Sequence, residues 1–353
     1  MIRKTSLTAA CLATIYFVAC SYSSAQSPAV QIQAAPTPAI PSHTPAELGL
    51  SGRLLYVRGQ AGVFLFDLTT GKISPVFQPP QDGLVSAASL SPDGKWIVMS
   101  YSPPPDKNKP QLGYTRLFIM PADGSAQPQP LLKSADETGL LYTLPQWSPD
   151  GKWIIFDYFS PQDSTSATGF SIQRVAYPDG RPQKLVDNAF QPRLSSNGAR
   201  LAYVGFKDPA TAINQLYVAD ADGSNPKQLA PSDSSLWTID APVFTRDGSA
   251  IIFSGVTSQP ATSSSISWLN QLFGMRVASA HSIPSDLWKV STSGGGPVNL
   301  AHVGDIGMYP DPSPDGKHIA YLSFSGIFVM DPDGAHLSQI SMLGGAGTLQ
   351  WIP

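Results

Sequence analysis

The chain has 353 residues, 42% hydrophobic and 13% charged, enough for one large core. Its 22 bases against 25 acids leave a net charge of −3 with no basic run or stripe, so nucleic acid is not an expected partner. Glu occurs only at Glu47 and Glu137, the other acids being Asp, while 30 Gly and 34 Pro recur between short apolar runs; this excludes a mainly helical protein in favour of an all-β chain with many tight turns.

Residues 1–25 read as an export signal. Arg3 and Lys4 form a positive n-region, and Leu7 to Val18 is an apolar stretch of signal-peptide length. Phe17-Val18-Ala19-Cys20 resembles a bacterial lipobox, in which Cys20 is lipidated and becomes the N-terminus; Ser23-Ser24-Ala25 before Gln26 would instead suit ordinary cleavage and secretion. Lipidation at Cys20 is the favoured reading for two reasons. The other cysteine, Cys11, lies inside the leader, so the mature chain would keep no thiol but a lipidated one. Residues 26–50 also read as a tether, with Pro28, Pro36, Pro38, Pro41 and Pro45 among Ala, Ser and Thr: extended, semi-rigid and short of apolar surface. The expected location is the outer side of the cytoplasmic membrane or the cell surface.

Residues 51–353 form a repeat. Leu54 to Phe77 supplies three strands. Five turn-then-strand segments follow: Ser91-Pro92-Asp93-Gly94-Lys95-Trp96, Ser148-Pro149-Asp150-Gly151-Lys152-Trp153, Ser195-Ser196-Asn197-Gly198-Ala199-Arg200, Thr245-Arg246-Asp247-Gly248-Ser249-Ala250 and Ser313-Pro314-Asp315-Gly316-Lys317-His318. Pro presets φ, Asp bonds back to the backbone and Gly accepts a positive φ. A second strand ends in an Asp-Gly hairpin at Asp123-Gly124, Asp222-Gly223 and Asp333-Gly334, and a short strand such as Gln228-Leu229 follows. Each unit is thus a four-stranded antiparallel meander, A to D, of about 50 residues, which predicts six blades. Thr348 to Pro353 reads as an A strand with nothing after it. It completes the N-terminal blade and closes a six-bladed β-propeller.

The strand–Ser-Pro-Asp-Gly–strand motif with its trailing strand–Asp-Gly resembles the WD-like repeats of the TolB propeller family over 54–353. The resemblance implies an extracytoplasmic location and protein binding. TolB itself carries an α/β domain before its propeller; here a Pro-rich tether precedes Leu54, so the resemblance is to the propeller.

No Gly-x-Ser-x-Gly elbow or His-Glu-x-x-His helix is present, and two Glu exclude a paired-Glu glycosidase site though not a paired-Asp one. No cofactor or metal is expected: Asp220-Ala221-Asp222-Gly223 looks faintly like a calcium loop but lacks the terminal Glu and belongs to a repeated hairpin. His43 lies in the tether, His318 takes the place of Trp96 and Trp153, and His336 follows a hairpin. His281 and His302 fall in loops near Asp305 and Asp311, where a propeller lyase or hydrolase would have its site. That enzyme is the alternative to the favoured reading, a monomeric binding or scaffold propeller engaging a protein or envelope component.

In a meander the A–B and C–D turns share one face, and here they are short and uniform. The B–C loops and D–A crossovers share the other, where the sequence varies. Ser102 to Thr115 and Ser160 to Gly169 are long loops, and Val256 to Ser285 is a large insertion. Within it Trp268, Leu269, Leu272 and Phe273 lie on one side of a predicted short helix that either lids the channel or receives a partner. With Trp237, Asp240, His281, His302 and Tyr309 they make the expected binding face.

Overall fold

The five turns set the frame. The computed structural model describes residues 40–104, 115–132, 140–160, 168–208, 213–229, 236–257 and 283–353. In the first turn Ser91 Oγ donates to Asp93 Oδ1 at 2.6 Å and accepts from the Trp96 N–H at 2.9 Å, while Asp93 Oδ1 also takes the Lys95 N–H at 3.1 Å. Gly94, at φ 71°, returns its N–H to the Ser91 carbonyl. The same bonds recur around Ser148, Ser195, Thr245 and Ser313, with Asn197 replacing Asp in the third turn.

Each turn joins an inner strand to the next, and the described residues form six four-stranded antiparallel sheets. Blade I is β24 (Leu349–Ile352), β1 (Arg53–Val57), β2 (Val63–Asp67) and β3 (Ile73–Phe77). Blade II is β4 (Leu84–Leu90), β5 (Trp96–Ser102), β6 (Arg116–Pro121) and β7 (Gln129–Pro130); blade III is β8 (Leu141–Trp147), β9 (Trp153–Phe159), β10 (Phe170–Ala176) and β11 (Gln183–Asp187). Blade IV is β12 (Ala189–Leu194), β13 (Arg200–Asp208), β14 (Ile213–Asp220) and β15 (Lys227–Gln228). Blade V is β16 (Thr238–Phe244), β17 (Ala250–Val256), β18 (Ser285–Ser291) and β19 (Val298–Asp305), and blade VI is β20 (Tyr309–Pro312), β21 (Ile319–Ser323), β22 (Gly326–Met330) and β23 (Ser338–Ser341).

The period of two distributes each blade's apolar side chains between its neighbours. On β1, Leu54 and Tyr56 pack with Leu322, Ile327 and Val329 of blade VI, whereas Leu55 and Val57 pack with Ile97, Met99 and Tyr101 of blade II. The expected closing strand is in place: Leu54 pairs with Trp351 and Tyr56 with Leu349.

A second repeat was not among the sequence motifs. Pro145, Pro192, Pro242 and Pro310 each stand three residues before a turn Ser or Thr. At the first three, the preceding Leu144, Gln191 and Ala241 have φ of 49°, 56° and 49°, and the register slips in a bulge. The main-chain N–H groups of the inner strands are then met by side chains of the adjoining blade. Gln191 donates to Asp157 Oδ1 at 2.8 Å and Ala241 to Gln191 Oε1 at 2.6 Å. Leu194 donates to Gln146 Oε1, Leu90 to Gln350 Oε1 and Trp351 to Asp311 Oδ2, all at 2.8 Å.

The expected tether runs to residue 50, but residues 41–43 lie along the outer edge of blade VI. His43 N–H donates to the Gln339 carbonyl at 3.0 Å, Gln339 N–H donates to the Pro41 carbonyl at 2.9 Å, and Ser42 bridges Gln339 in parallel. Leu50 is buried with blades I and VI. The edge of β23 has main-chain groups to offer, and an extended Pro-containing segment covers them without forming a sheet of its own. Residues 1–39, including Cys20, lie outside the described residues.

Removing residues 347–353 exposes the pocket of Leu349, Trp351 and Ile352 and deprives Leu90 and Ala88 of their acceptors on Gln350 and Thr348. The expected loss is about 5 kcal/mol or more, read from the urea midpoint of the truncated chain; an unchanged midpoint would show that the ring does not need this strand.

The turn hydrogen bonds hold the carboxyls of Asp93, Asp150 and Asp315 below their ordinary range, and Asp247, bonded by Thr245 and Ser249, at about 2. The unfolded chain therefore binds more protons than the folded one between about pH 4 and pH 2, so this stabilisation is complete above about pH 4 and is lost as pH falls toward 2. Asp247→Asn should flatten the acid limb of stability against pH in that window, measured by urea unfolding. A limb as steep as wild type would contradict the assignment.

Candidate functional site

The six inner strands surround a channel. At its middle is a pocket of only about 50 Å³, bounded by Leu144, Gln191, Ala241 and Tyr309. Toward the A–B turns it opens into a funnel of about 590 Å³. From blade II to blade VI the turns meet in series: Pro92 lies against Gly151, Pro149 against Gly198 and Arg246 against Gly316, and Ser196 Oγ donates to the Arg246 carbonyl at 2.8 Å. C–D hairpins join the same face, Ala122 donating to the Lys95 carbonyl and Tyr177 to that of Lys152.

The funnel neck is formed by the residue two before each turn Ser or Thr. Ser89, Gln146, Arg193, Val243 and Asp311 occupy that position, and Gln350 takes the corresponding place on the closing strand. Arg193 reaches across to form an ion pair with Asp311. Burial pushes the Asp311 carboxyl up, against the lowering effect of Arg193 and of the Trp351 N–H. Deeper in, burial raises Asp157 well above the carboxylate range, opposed by the Gln191 N–H and the Thr143 hydroxyl.

The expected binding residues separate. Asp240 and Tyr309 are brought together at the channel: Asp240 is fully buried on β16, and burial, then the Asp240 and Asp157 charges, push the Tyr309 phenol up. Trp237 is half-buried against Val256 and Ile283 and donates its N–H to the Val256 carbonyl at 2.7 Å. His302 lies on the outer strand β19, 85% exposed, with Nδ1 3.1 Å from Asp286 Oδ2. Trp268, Leu269, Leu272, Phe273 and His281 lie outside the described residues. Of the other histidines, His318 stacks on Trp351, His336 Nδ1 sits 2.6 Å from Asp331, which raises its pKa, and His43 Nδ1 is 3.2 Å from Ser338 Oγ. Among the described residues no three His, Cys, Asp or Glu side chains are grouped to hold a metal ion.

The loop face carries an apolar patch that no motif signalled. Phe324 is in the B–C turn of blade VI, Met342 and Leu343 in its crossover to blade I, and Leu84 begins blade II; they are 56%, 82%, 42% and 42% exposed. They are linked through backbone. Gly345 N–H donates to the Ser323 carbonyl, Arg58 Nε to the Gly344 carbonyl, and Gly59 lies between Leu84 and Ala346. The only signal in the sequence was single apolar residues inside loops, which are common on any surface.

No protein-family model matches the chain. An uncharacterized protein of Agrobacterium fabrum is 21% identical over 329 residues, covering 88% of this chain and 93% of its own length. Among solved structures, a protein assigned as TolB from Agrobacterium tumefaciens superposes with a TM-score of 0.58 at 17% identity, covering 86% of this chain and 99% of its own. TolB from Acinetobacter baumannii gives 0.58 at 15% identity, with 86% and 67% covered. Oligogalacturonate lyase in complex with manganese gives 0.50 at 12% identity, with 86% and 76% covered. At these identities the likeness is one of fold, and the fold is that of the TolB-like six-bladed propellers.

Proposed function

We propose that the chain is an extracytoplasmic binding propeller that captures a protein partner on its B–C and D–A loop face. The observation that carries this is the placement of exposed apolar side chains. Leu84, Phe324, Met342 and Leu343 are four of the five large exposed hydrophobics among the described residues, the fifth being Val298 in a C–D hairpin. A linked apolar patch beside polar loops is the usual signature of a protein-binding surface. The turn face, lined by charged Asp-Gly hairpins, lacks that character. The likeness to TolB propellers agrees with a binding role, and the rigid ring supplies a platform for variable loops.

The test is a crosslinked pull-down from intact envelope with the mature chain as bait. Phe324→Ser with Met342→Ser should abolish capture, whereas Asp123→Lys with Asp333→Lys should leave it intact. The reverse pattern would place the partner on the turn face. Replacing residues 258–283 by a short Gly-Ser linker asks separately whether that insertion takes part; the proposal expects weaker capture from a propeller that still folds.

Cys20 is proposed as the lipid anchor. A single acyl chain holds a protein only marginally, so stable membrane attachment calls for the several chains of a lipoprotein. In cell fractionation the wild-type protein should sediment with membranes and Cys20→Ser should not. A soluble wild-type chain beginning at Gln26 by mass spectrometry would refute the anchor.

A further inference from the structure

The funnel on the turn face, opposite the proposed partner surface, has charges that the fold does not ask for. At three of the six neck positions the side chain accepts an N–H from the next blade. Gln146 and Gln350 do this with neutral amides at 2.8 Å, and Asp311 makes the same bond to Trp351 at 2.8 Å. A glutamine at 311 would serve the seam equally. Instead a carboxylate stands there, and Arg193, a residue that cannot accept, occupies the neck position in blade IV and reaches it across the channel. A buried ion pair is rarely more stabilising than a neutral alternative of similar shape, because both ions must be stripped of water. Stability therefore does not explain the pair, since Gln146 and Gln350 close the same kind of seam without charge.

The rim departs from the repeat in the same direction. The second turn position is Pro92, Pro149 and Pro314 in three blades and Ser196 in a fourth, but Arg246 in blade V. Arg246 is exposed, lines the funnel and lies close enough to Asp311 to lower its pKa. Arg53, at the start of β1, lines it too. Among the described residues neither Arg246 nor Arg53 has a carboxylate within ion-pair distance, Asp67 being the acid that feels Arg53. The funnel's own acids are occupied. Asp93 holds the Ser91 hydroxyl and Lys95 N–H, and the two Asp311 oxygens hold Arg193 and the Trp351 N–H.

We propose that this funnel is a binding site for a small organic acid, its carboxylate taken by the Arg246 guanidinium group, with Arg53 as the second cation lining the funnel, and its apolar body lying against the funnel wall. The wall supplies Pro92, Pro149, Pro312 and Trp351, and about 590 Å³ falls within the range of small-molecule sites. Guanidinium groups present a planar fork that matches a carboxylate, and bonds between two charged partners are stronger than neutral ones. Arg193, held by Asp311, fixes the floor with a cation whose orientation is already set.

Benzoate and benzamide share one body and differ in charge, so they probe the assignment directly. Calorimetric titration of the mature chain at low salt should show saturable benzoate binding with a Kd of about 1 mM, as befits so small a ligand. Benzamide should bind about tenfold more weakly or not at all, and added salt should weaken benzoate. Arg246→Gln should reduce benzoate affinity about tenfold, while Arg181→Gln, in a hairpin outside the funnel, should not change it. Arg53→Gln is the second variant should Arg246→Gln fail to fold. Equal binding of benzamide, wild-type affinity in both funnel variants, or no saturation by about 20 mM benzoate would overturn the proposal.

Discussion

A propeller blade is a complete sheet, and nothing in its own hydrogen bonding attaches it to the next blade. In this protein the attachment at the channel is a main-chain N–H on one inner strand given to a side chain on its neighbour. Trp351 gives to Asp311, Leu90 to Gln350, Leu194 to Gln146, and Ala241 to Gln191. The bulges before Pro192 and Pro242 release donors from the ladder, and these bonds meet them inside the ring, where an unmet donor would cost free energy. The apolar wedges between blades hold the ring together, but they are non-directional. At these four junctions the polar seams fix one blade's height and angle against the next.

Closure follows the same logic. β24 brings Trp351 and Leu349 into the wedge between blades VI and I, and it brings Thr348 and Gln350 as acceptors for blade II. One short strand thus serves two seams at once, and blade I is assembled from the two ends of the described ring. Segment 41–43 adds a further tie at the outer edge of blade VI. The inner and outer edges of that blade are therefore both held by chain from elsewhere in the sequence.

What was legible in the sequence is what is local. Ser-Pro-Asp-Gly turns encode their own hydrogen bonds within six residues, so five turns, the meander and the orphan strand at 348–353 sufficed to predict six blades. The neck was harder to see because its residues are related only by position within the repeat. Arg193 and Asp311 are 118 residues apart, and nothing near either names the other. Counting back two residues from every turn Ser or Thr would have found the ring, and counting back three would have found the prolines. The reading of His302, Trp237, Asp240 and Tyr309 as one surface grouped residues by blade end alone. Distance from the axis separates them: Asp240 is on an inner strand and His302 on an outer one. The docking of residues 41–43 was hidden by composition, since a Pro-rich stretch reads alike whether it is free or laid along a sheet edge.

The two mouths of the channel are chemically unlike, and the meander accounts for it. A–B turns repeat a hydroxyl, an Asp or Asn and a Gly to make their bonds, so the turn face is a polar ring whose variation is confined to a few positions, notably the one that is Pro in three turns, Ser in another and Arg in blade V. B–C loops and crossovers have no such demand, which leaves room there for Phe324, Met342 and Leu343 to stand in solvent. Departures from the repeat thus mean different things on the two faces. On the loop face variation is cheap, and only linked exposure of apolar side chains is informative. On the turn face the repeat sets the side chain expected at each position, so Arg246, where three turns have Pro, is a departure that the fold does not require.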